Sequence, residues 1–255
     1  MAASKALQDL RVLWQMVFHP TRGTTHQERL DSFYAGQASA YDQFRQRLLH
    51  GRREMIDAME APENGVWVDM GAGTGENAER IGPRLSNLSQ LYLVDLCPSL
   101  LGVARERIKK HGWTNVTAIE ADATTFVPPT GTADIVTFSY SLTMIPDWFR
   151  VIDQALTFLK PGGTLGVVDF YTARKYPADG MARHSWITRT FWPAWFGSSN
   201  VFLHPDHIPY LQSRLQQTKL VEGKAKVPYL PWLRAPYYQF IGRKIDPRGT
   251  TERPT

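Results

Sequence analysis

Residues 66–80 read VWVDMGAGTGENAER, from Val66 to Arg80. An apolar run carrying two β-branched residues ends at Asp69, which predicts a strand. Three glycines follow at alternate positions, Gly71, Gly73 and Gly75, before a helix-compatible segment opens at Glu76. Glycine lets the backbone turn sharply and approach a ligand, because no Cβ stands in the way. Strand, glycine turn and helix start together predict a nucleotide-type site at the carboxyl end of a parallel strand. The dinucleotide fingerprint G-x-G-x-x-G would need glycine at position 76, where Glu76 stands. What remains is D-x-G-x-G-x-G. Taken alone it also suits a tight strand-to-helix connection, so the neighbouring strand ends decide.

Downstream, Asn77–Leu85 continues as a short helix, and Leu91–Asp95 reads as a second strand. Asp95 lies 20 residues after Gly75, the interval at which nucleotide folds place a ribose-binding acid. Ser99–His111 is a predicted helix whose basic last turn complements its dipole. Val116–Asp122 gives a third strand ending in an acid. Asp134–Tyr140 is a fourth, apolar enough to be buried on both faces. Trp148–Leu159 forms the next helix, closed by Lys160-Pro161-Gly162-Gly163, and Thr164–Tyr171 is the fifth strand. This alternation predicts an open, doubly wound α/β sheet.

Asp69, the glycine turn, Asp95 and Asp122 therefore stand at successive strand ends. With Lys160 to Leu165, the set resembles class I S-adenosylmethionine-dependent methyltransferases, whose motif I has the form of residues 69–75. Asp95 is placed to accept from ribose hydroxyls and Asp122 from an adenine amino group. Asp69 organises the turn or meets the ammonium of the methionine part. A sulfonium favours acidic neighbours, which would repel a pyrophosphate. The resemblance covers nearly the whole chain. It implies a Rossmann-like, mostly parallel seven-stranded sheet with an antiparallel last strand. It also implies a cofactor site of Asp69, Gly71, Ala72, Gly73, Gly75, Asp95, Leu96, Asp122, Ala123, Ser139 and Met144.

The flanks read differently. Ala6–Phe18 is an amphipathic helix by its apolar spacing. A second helical region runs from about His26 to Met59, interrupted near Gly36, with Tyr34, Ala38 and Tyr41 on one face. Together residues 1–60 form an expected helical cap over the cofactor site, and residues 61–245 the main domain. Within it, 172–215 reads as a helical lid around His184–Phe196 and His204–Leu215. Lys219–Lys244 then gives two β segments around Pro228–Pro236. Residues 246–255 are an expected disordered tail.

The 255 residues suit one domain with elaborations, and 43% apolar with 12% aromatic residues supports a filled core. The single cysteine, Cys97, points to a reducing compartment. No apolar run approaches the ~18 residues of a membrane span, and no secretory signal pattern opens the sequence. From Phe170 onward there are 13 Lys/Arg against 5 Asp/Glu, whereas the first 169 residues hold 16 against 19. The C-terminal third is thus suited to an anionic neighbour. Its basic residues form no dense run beside a recognition motif, so a nucleic-acid module is the weaker alternative and no nucleic-acid partner is expected.

The segment Ser139 to Trp148 lacks the Asn/Asp-Pro-Pro-Tyr motif of DNA and protein-glutamine amino-methylases. Phe33-Tyr34, Tyr41-Asp42, Asp69–Gly75, Tyr140–Trp148, Asp169-Phe170-Tyr171 and the aromatic, basic C-terminal third resemble the methyltransferase component of betaine-lipid synthesis. That resemblance implies N-methylation of diacylglyceryl-homoserine to the trimethylhomoserine lipid, with S-adenosylmethionine leaving as S-adenosylhomocysteine and no metal required. It implies a cytoplasmic, peripherally membrane-associated enzyme supplied by a separate aminobutyrate-transferring enzyme. Tyr34, Tyr41 and Tyr140 are the catalytic candidates, ringing the amine together with Tyr171. Tyr171, Trp186, Arg189 and His204 are the substrate-side candidates, with His207 beside them. Methylation of another amine, a phosphatidylethanolamine-type phospholipid or a quinone is the enzymatic alternative.

Overall fold

A computed structural model describes residues 48–198, 200–228 and 230–246. The expected helix 6–18, most of the helical cap with Tyr34 and Tyr41, and the tail from residue 247 lie outside the described residues. The chain runs α1 (Arg52–Asp57), β1 (Gly65–Met70), α2 (Glu76–Ile81), β2 (Leu88–Asp95), α3 (Pro98–His111), β3 (Val116–Glu120) and β4 (Ala133–Ser139). It continues through α4 (Trp148–Phe158), β5 (Leu159–Phe170), α5 (Trp186–Gly197), α6 (His207–Arg214), β6 (Gln216–Val227) and β7 (Leu230–Arg243).

These strands form one seven-stranded sheet in the order β3-β2-β1-β4-β5-β7-β6. The first five are parallel, and β7 runs antiparallel to both β5 and β6. Strand order reverses between β1 and β4, so their carboxyl ends open a crevice at the topological switch point. Alternate residues of β1 serve the two faces. Val66, Val68 and Met70 enter the core shared with α4 and α6, while Trp67 packs toward α1 and α5. The central strands are buried on both sides, which is why they read as apolar runs.

Several expected boundaries move. The region expected to be helical through Met59 is broken at His50-Gly51, and α1 stops at Asp57. The helix expected over Asn77–Leu85 ends at Ile81, because Gly82-Pro83 turns the chain into a 3-10 helix over Gly82–Asn87. Strand β3 ends at Glu120, before Asp122. Lys160-Pro161-Gly162-Gly163 does not follow a helix reaching Leu159. It belongs to a bulged start of β5, where pairing with β4 jumps from Ala133↔Leu159 to Ile135↔Thr164. The C-terminal hairpin is longer than expected, since β7 already begins at Leu230. The last strand is antiparallel, as anticipated.

Candidate functional site

The glycine turn is held by hydrogen bonds to the end of β2. Gly71 and Ala72 donate their N–H groups to the Val94 carbonyl at 2.8 and 3.0 Å, and Gly73 donates to Asp95 Oδ2 at 2.7 Å. Gly71 has φ 69°, and a Cβ there would stand 2.3 Å from Ser141 Cβ. Gly75, φ 72°, would drive a Cβ to 2.8 Å from Leu93 Cδ1. Both positions therefore need glycine for conformation and for room.

Asp69 lies beneath this turn and not on the crevice wall. It is 1% exposed and accepts from Thr137 Oγ1 at 2.7 Å and from Asn77 Nδ2 at 3.2 and 3.0 Å. Thr137 in turn accepts from Trp67 Nε1 at 2.9 Å. Asn77 Oδ1 accepts from Arg52 at 3.0 Å, and the same guanidinium bridges to Glu76 at 2.8 Å. Arg80 holds the other Glu76 oxygen at 2.9 Å. Burial raises the Asp69 pKa to about 6, against the opposing pull of Thr137, Asn77 and Arg52. Glu76, which excludes the dinucleotide reading, is thus a buried ion-pair partner. Its position at the start of α2 favours an acid.

A cavity of about 290 Å³ opens above the turn. Gly71 and Gly73 form its floor, Asp95, Leu96 and Leu100 one side, and Asp122, Ala123 and Thr124 the next. Tyr140, Ser141, Met144 and Asp147 close it from the β4 side. Asp95 also accepts from Cys97 N–H at 2.9 Å through Oδ1. Asp122, exposed, sits in an Asx turn in which Oδ1 accepts from Thr124 N–H at 2.8 Å and Thr124 Oγ1 at 2.7 Å. Of the expected cofactor residues, Gly71, Gly73, Asp95, Leu96, Asp122, Ala123 and Met144 line this cavity. Ala72 and Gly75 shape the turn from within, and Ser139 is buried with its Oγ unpartnered among the described residues.

Tyr140 lines the same cavity in a left-handed backbone conformation, φ 57°. Strain of this kind in a bulky residue concentrates at functional sites. Its hydroxyl donates to the His50 carbonyl at 2.6 Å, and burial raises its pKa. The segment after β4 is clamped to β5 by Asp169, which accepts from Thr143 Oγ1 at 2.7 Å and Thr143 N–H at 3.1 Å. Burial raises the Asp169 pKa to about 7 despite those bonds.

The substrate-side candidates do not converge on the cavity. Tyr171 points to the opposite face of β5 from Phe170 and donates to Glu222 at 2.6 Å. His204 accepts from Asp206 N–H at 3.1 Å and lies against Trp148 at 4.9 Å between ring centroids. His207 is wholly buried with neither ring nitrogen partnered among the described residues, and burial lowers its pKa to about 3. Trp186 is 70% exposed on α5, three residues before the half-buried Arg189. Among the described residues, no group of three or more His, Cys, Asp or Glu could hold a metal ion.

Arg52, Asn77, Thr137 and Thr143 were not among the expected site residues. Nothing local marks them, because each acts through a partner distant in sequence. Asp169 opens the Asp169-Phe170-Tyr171 motif, yet its clamp on Thr143 is a tertiary contact.

Three aspartates and no lysine or arginine line the cavity among the described residues. That set accepts hydroxyl and amino donors, tolerates a sulfonium and disfavours phosphate. Strand order, glycine turn and strand-end acids together define a class I S-adenosylmethionine-dependent methyltransferase domain. The family described as "Methyltransferase domain" matches residues 68–163.

The chain is 28% identical over 202 residues to the ubiquinone/menaquinone biosynthesis C-methyltransferase of Hydrogenovibrio crunogenus, covering 70% of this chain and 73% of that protein. It is 28% identical over 139 residues to the like-named protein of Proteus mirabilis, covering 52% and 55%. The match therefore spans about half to three quarters of these relatives' lengths. Among solved structures, a Haemonchus contortus phosphoethanolamine N-methyltransferase 2 in complex with phosphomonomethylethanolamine and S-adenosylhomocysteine aligns with TM-score 0.65. That alignment has 15% identity and covers 88% of this chain and 61% of that one. A SAM-dependent methyltransferase from Aquifex aeolicus aligns at 0.53 with 14% identity, covering 79% and 93%. At such identities these two show the fold alone.

Proposed function

We propose that this chain transfers methyl groups from S-adenosylmethionine to the amine of a membrane-borne lipid, with diacylglyceryl-homoserine as acceptor and the trimethylhomoserine betaine lipid as product. The observation carrying this reading is an aromatic chain leading away from the cavity. Tyr140 lies 4.7 Å from Phe170, Phe170 stacks on Phe196 at 4.6 Å, and Phe196 adjoins Trp192 at 5.6 Å between centroids. On the same helix, Trp186 and Ile187 are exposed. The buried rings back the Tyr140 wall, and the exposed Trp186 and Ile187 offer apolar surface to an acceptor with a small polar head and a large apolar body.

When bound, the cofactor supplies an electrophilic methyl group on a sulfonium. The chain's own contribution is orientation. Asp95 and Asp122 would hold the nucleoside through its hydroxyl and amino donors, and the turn at Gly71–Gly75 would form the floor beneath it. The Asp169–Thr143 clamp keeps the Tyr140–Met144 wall in register with that floor, so that the acceptor nitrogen can approach in line. Because the Tyr140 hydroxyl is committed to His50, Tyr140 offers its ring face to an increasingly methylated nitrogen, worth roughly 0.5–2 kcal/mol. In this reading the protein works at the cytoplasmic membrane surface beside a separate aminobutyrate-transferring enzyme.

A second reading, C-methylation of a quinone, is favoured by the names of the relatives at 28% identity. Purified protein with labelled S-adenosylmethionine and dispersed diacylglyceryl-homoserine, phosphatidylethanolamine or demethylated quinone separates the two by product mass. Methylated homoserine lipid is the expected outcome. Methylated quinone with no lipid product overturns the leading reading.

A further inference from the structure

We infer that the exposed face of the β6–β7 hairpin tip, carrying Lys224, Lys226, Trp232 and Arg234, docks the protein on an anionic phospholipid surface. Pairing between β5 and β7 ends at Phe170↔Tyr237, yet the hairpin runs on to a turn at Pro228. Since β7 is antiparallel to β5, this turn projects at the carboxyl edge of the parallel strands, the edge on which the cofactor crevice opens. One face of the projection is covered. Ala225, Val227 and Ala235 are buried in the same core cluster as Trp192 and Phe196 of α5.

The other face is bare and basic. Lys226 and Arg234 are direct cross-strand partners, Trp232 lies two residues before Arg234, and Lys224 two before Lys226. All four are exposed, Trp232 at 74%. Like charges placed directly opposite each other destabilise a hairpin, so folding does not account for this pair. Glu222, the next acid along this face of β6, is occupied by the Tyr171 hydroxyl and by Ala182 N–H at 2.8 Å. Among the described residues none of the three cations pairs with a carboxylate. An indole among unpaired cations matches the headgroup layer of an anionic bilayer, where tryptophan is enriched and lysine and arginine are attracted.

This deepens the proposed function and takes its purpose, delivery of a membrane-borne acceptor, from that reading. The test is flotation of the full chain with phosphatidylcholine vesicles, with and without phosphatidylglycerol. Binding is expected only with phosphatidylglycerol and weakens as salt rises. Lys226→Gln with Arg234→Gln lowers partitioning by about 25-fold, at about fivefold per basic residue lost. Trp232→Ser lowers it further, and all variants keep wild-type cofactor affinity by calorimetry, which reports an intact fold. Unchanged vesicle binding by these variants overturns the inference. So does a wild-type protein that ignores the vesicles but binds RNA at the same salt. Vesicle binding without lipid methylation removes only the acceptor reading, whereas methylation of detergent-dispersed lipid without vesicle binding removes only the docking surface.

Discussion

Asp95 Oδ2 accepts the Gly73 N–H at 2.7 Å, tying the end of β2 to the turn that follows β1. The acid expected to hold the ribose therefore also holds the glycine turn in place. Replacing it removes a ligand contact and loosens the floor together. Asp95→Ala is expected to weaken S-adenosylmethionine binding by about 1–3 kcal/mol, read by calorimetry. Unchanged affinity removes Asp95 from the site.

Gly71→Ala is expected to disrupt both the turn and the wall opposite. The φ of 69° disfavours any L side chain by roughly 1–2 kcal/mol, and the new methyl group meets Ser141 Cβ. Adding Ser141→Gly relieves the contact but not the backbone. The double variant should thus recover part of the lost melting temperature and stop short of wild type. Full recovery would show that only the clash mattered.

Arg52 is 5% exposed and joins Glu76 to Asn77, hence to Asp69. Arg52→Met removes one cation from the buried Glu76 carboxylate, and a loss of about 3 kcal/mol is expected in urea unfolding. Adding Glu76→Gln should restore a large part of it. If the two losses simply add, the buried ion pair is not the source.

Acid sensitivity divides between groups of opposite sign. His207, with a folded pKa of about 3, stays neutral inside while the unfolded chain takes up a proton below its ordinary value of 6.5. The unfolded state then binds more protons, so stability falls as pH drops through that window. Asp69 and Asp169, raised to about 6 and about 7, work the other way, adding stability as pH falls from about 7 toward 3.8. His207→Leu should therefore gain about 2 kcal/mol relative to wild type on going from about pH 7 to about pH 5. A pH-independent difference between the two proteins would place a proton on His207 in the folded state.

The regular part of the architecture was legible along the chain. Central strands covered on both faces must be apolar throughout, and strand ends at a ligand crevice must be polar. That contrast alone marks Asp69, Asp95 and Asp122. The boundaries shifted where a local signal met a tertiary one. Lys160-Pro161-Gly162-Gly163 has turn chemistry, yet Gly162 donates to Lys244 and Lys244 to Gly163, each at 2.9 Å, drawing the segment into the sheet as a bulge. The substrate-side candidates scattered because aromatic content does not encode direction. At the end of β5 one residue of offset sends Phe170 toward the cavity wall at Tyr140, and Tyr171, just past the strand, to the opposite face.

The sequence by itself determined the doubly wound sheet and the glycine turn at Gly71 to Gly75, while the antiparallel end and a cofactor role for Asp95 entered only through the resemblance to class I methyltransferases. The sheet and the turn follow from periodicity and from backbone conformations that few residues can adopt. Only the tertiary structure decided that Asp69 supports the floor from below, that Asp169 clamps the wall through Thr143, and that the hairpin tip stands basic and bare beside the crevice. Each depends on partners far apart in the chain, and such pairings exist only once the sheet has set its register.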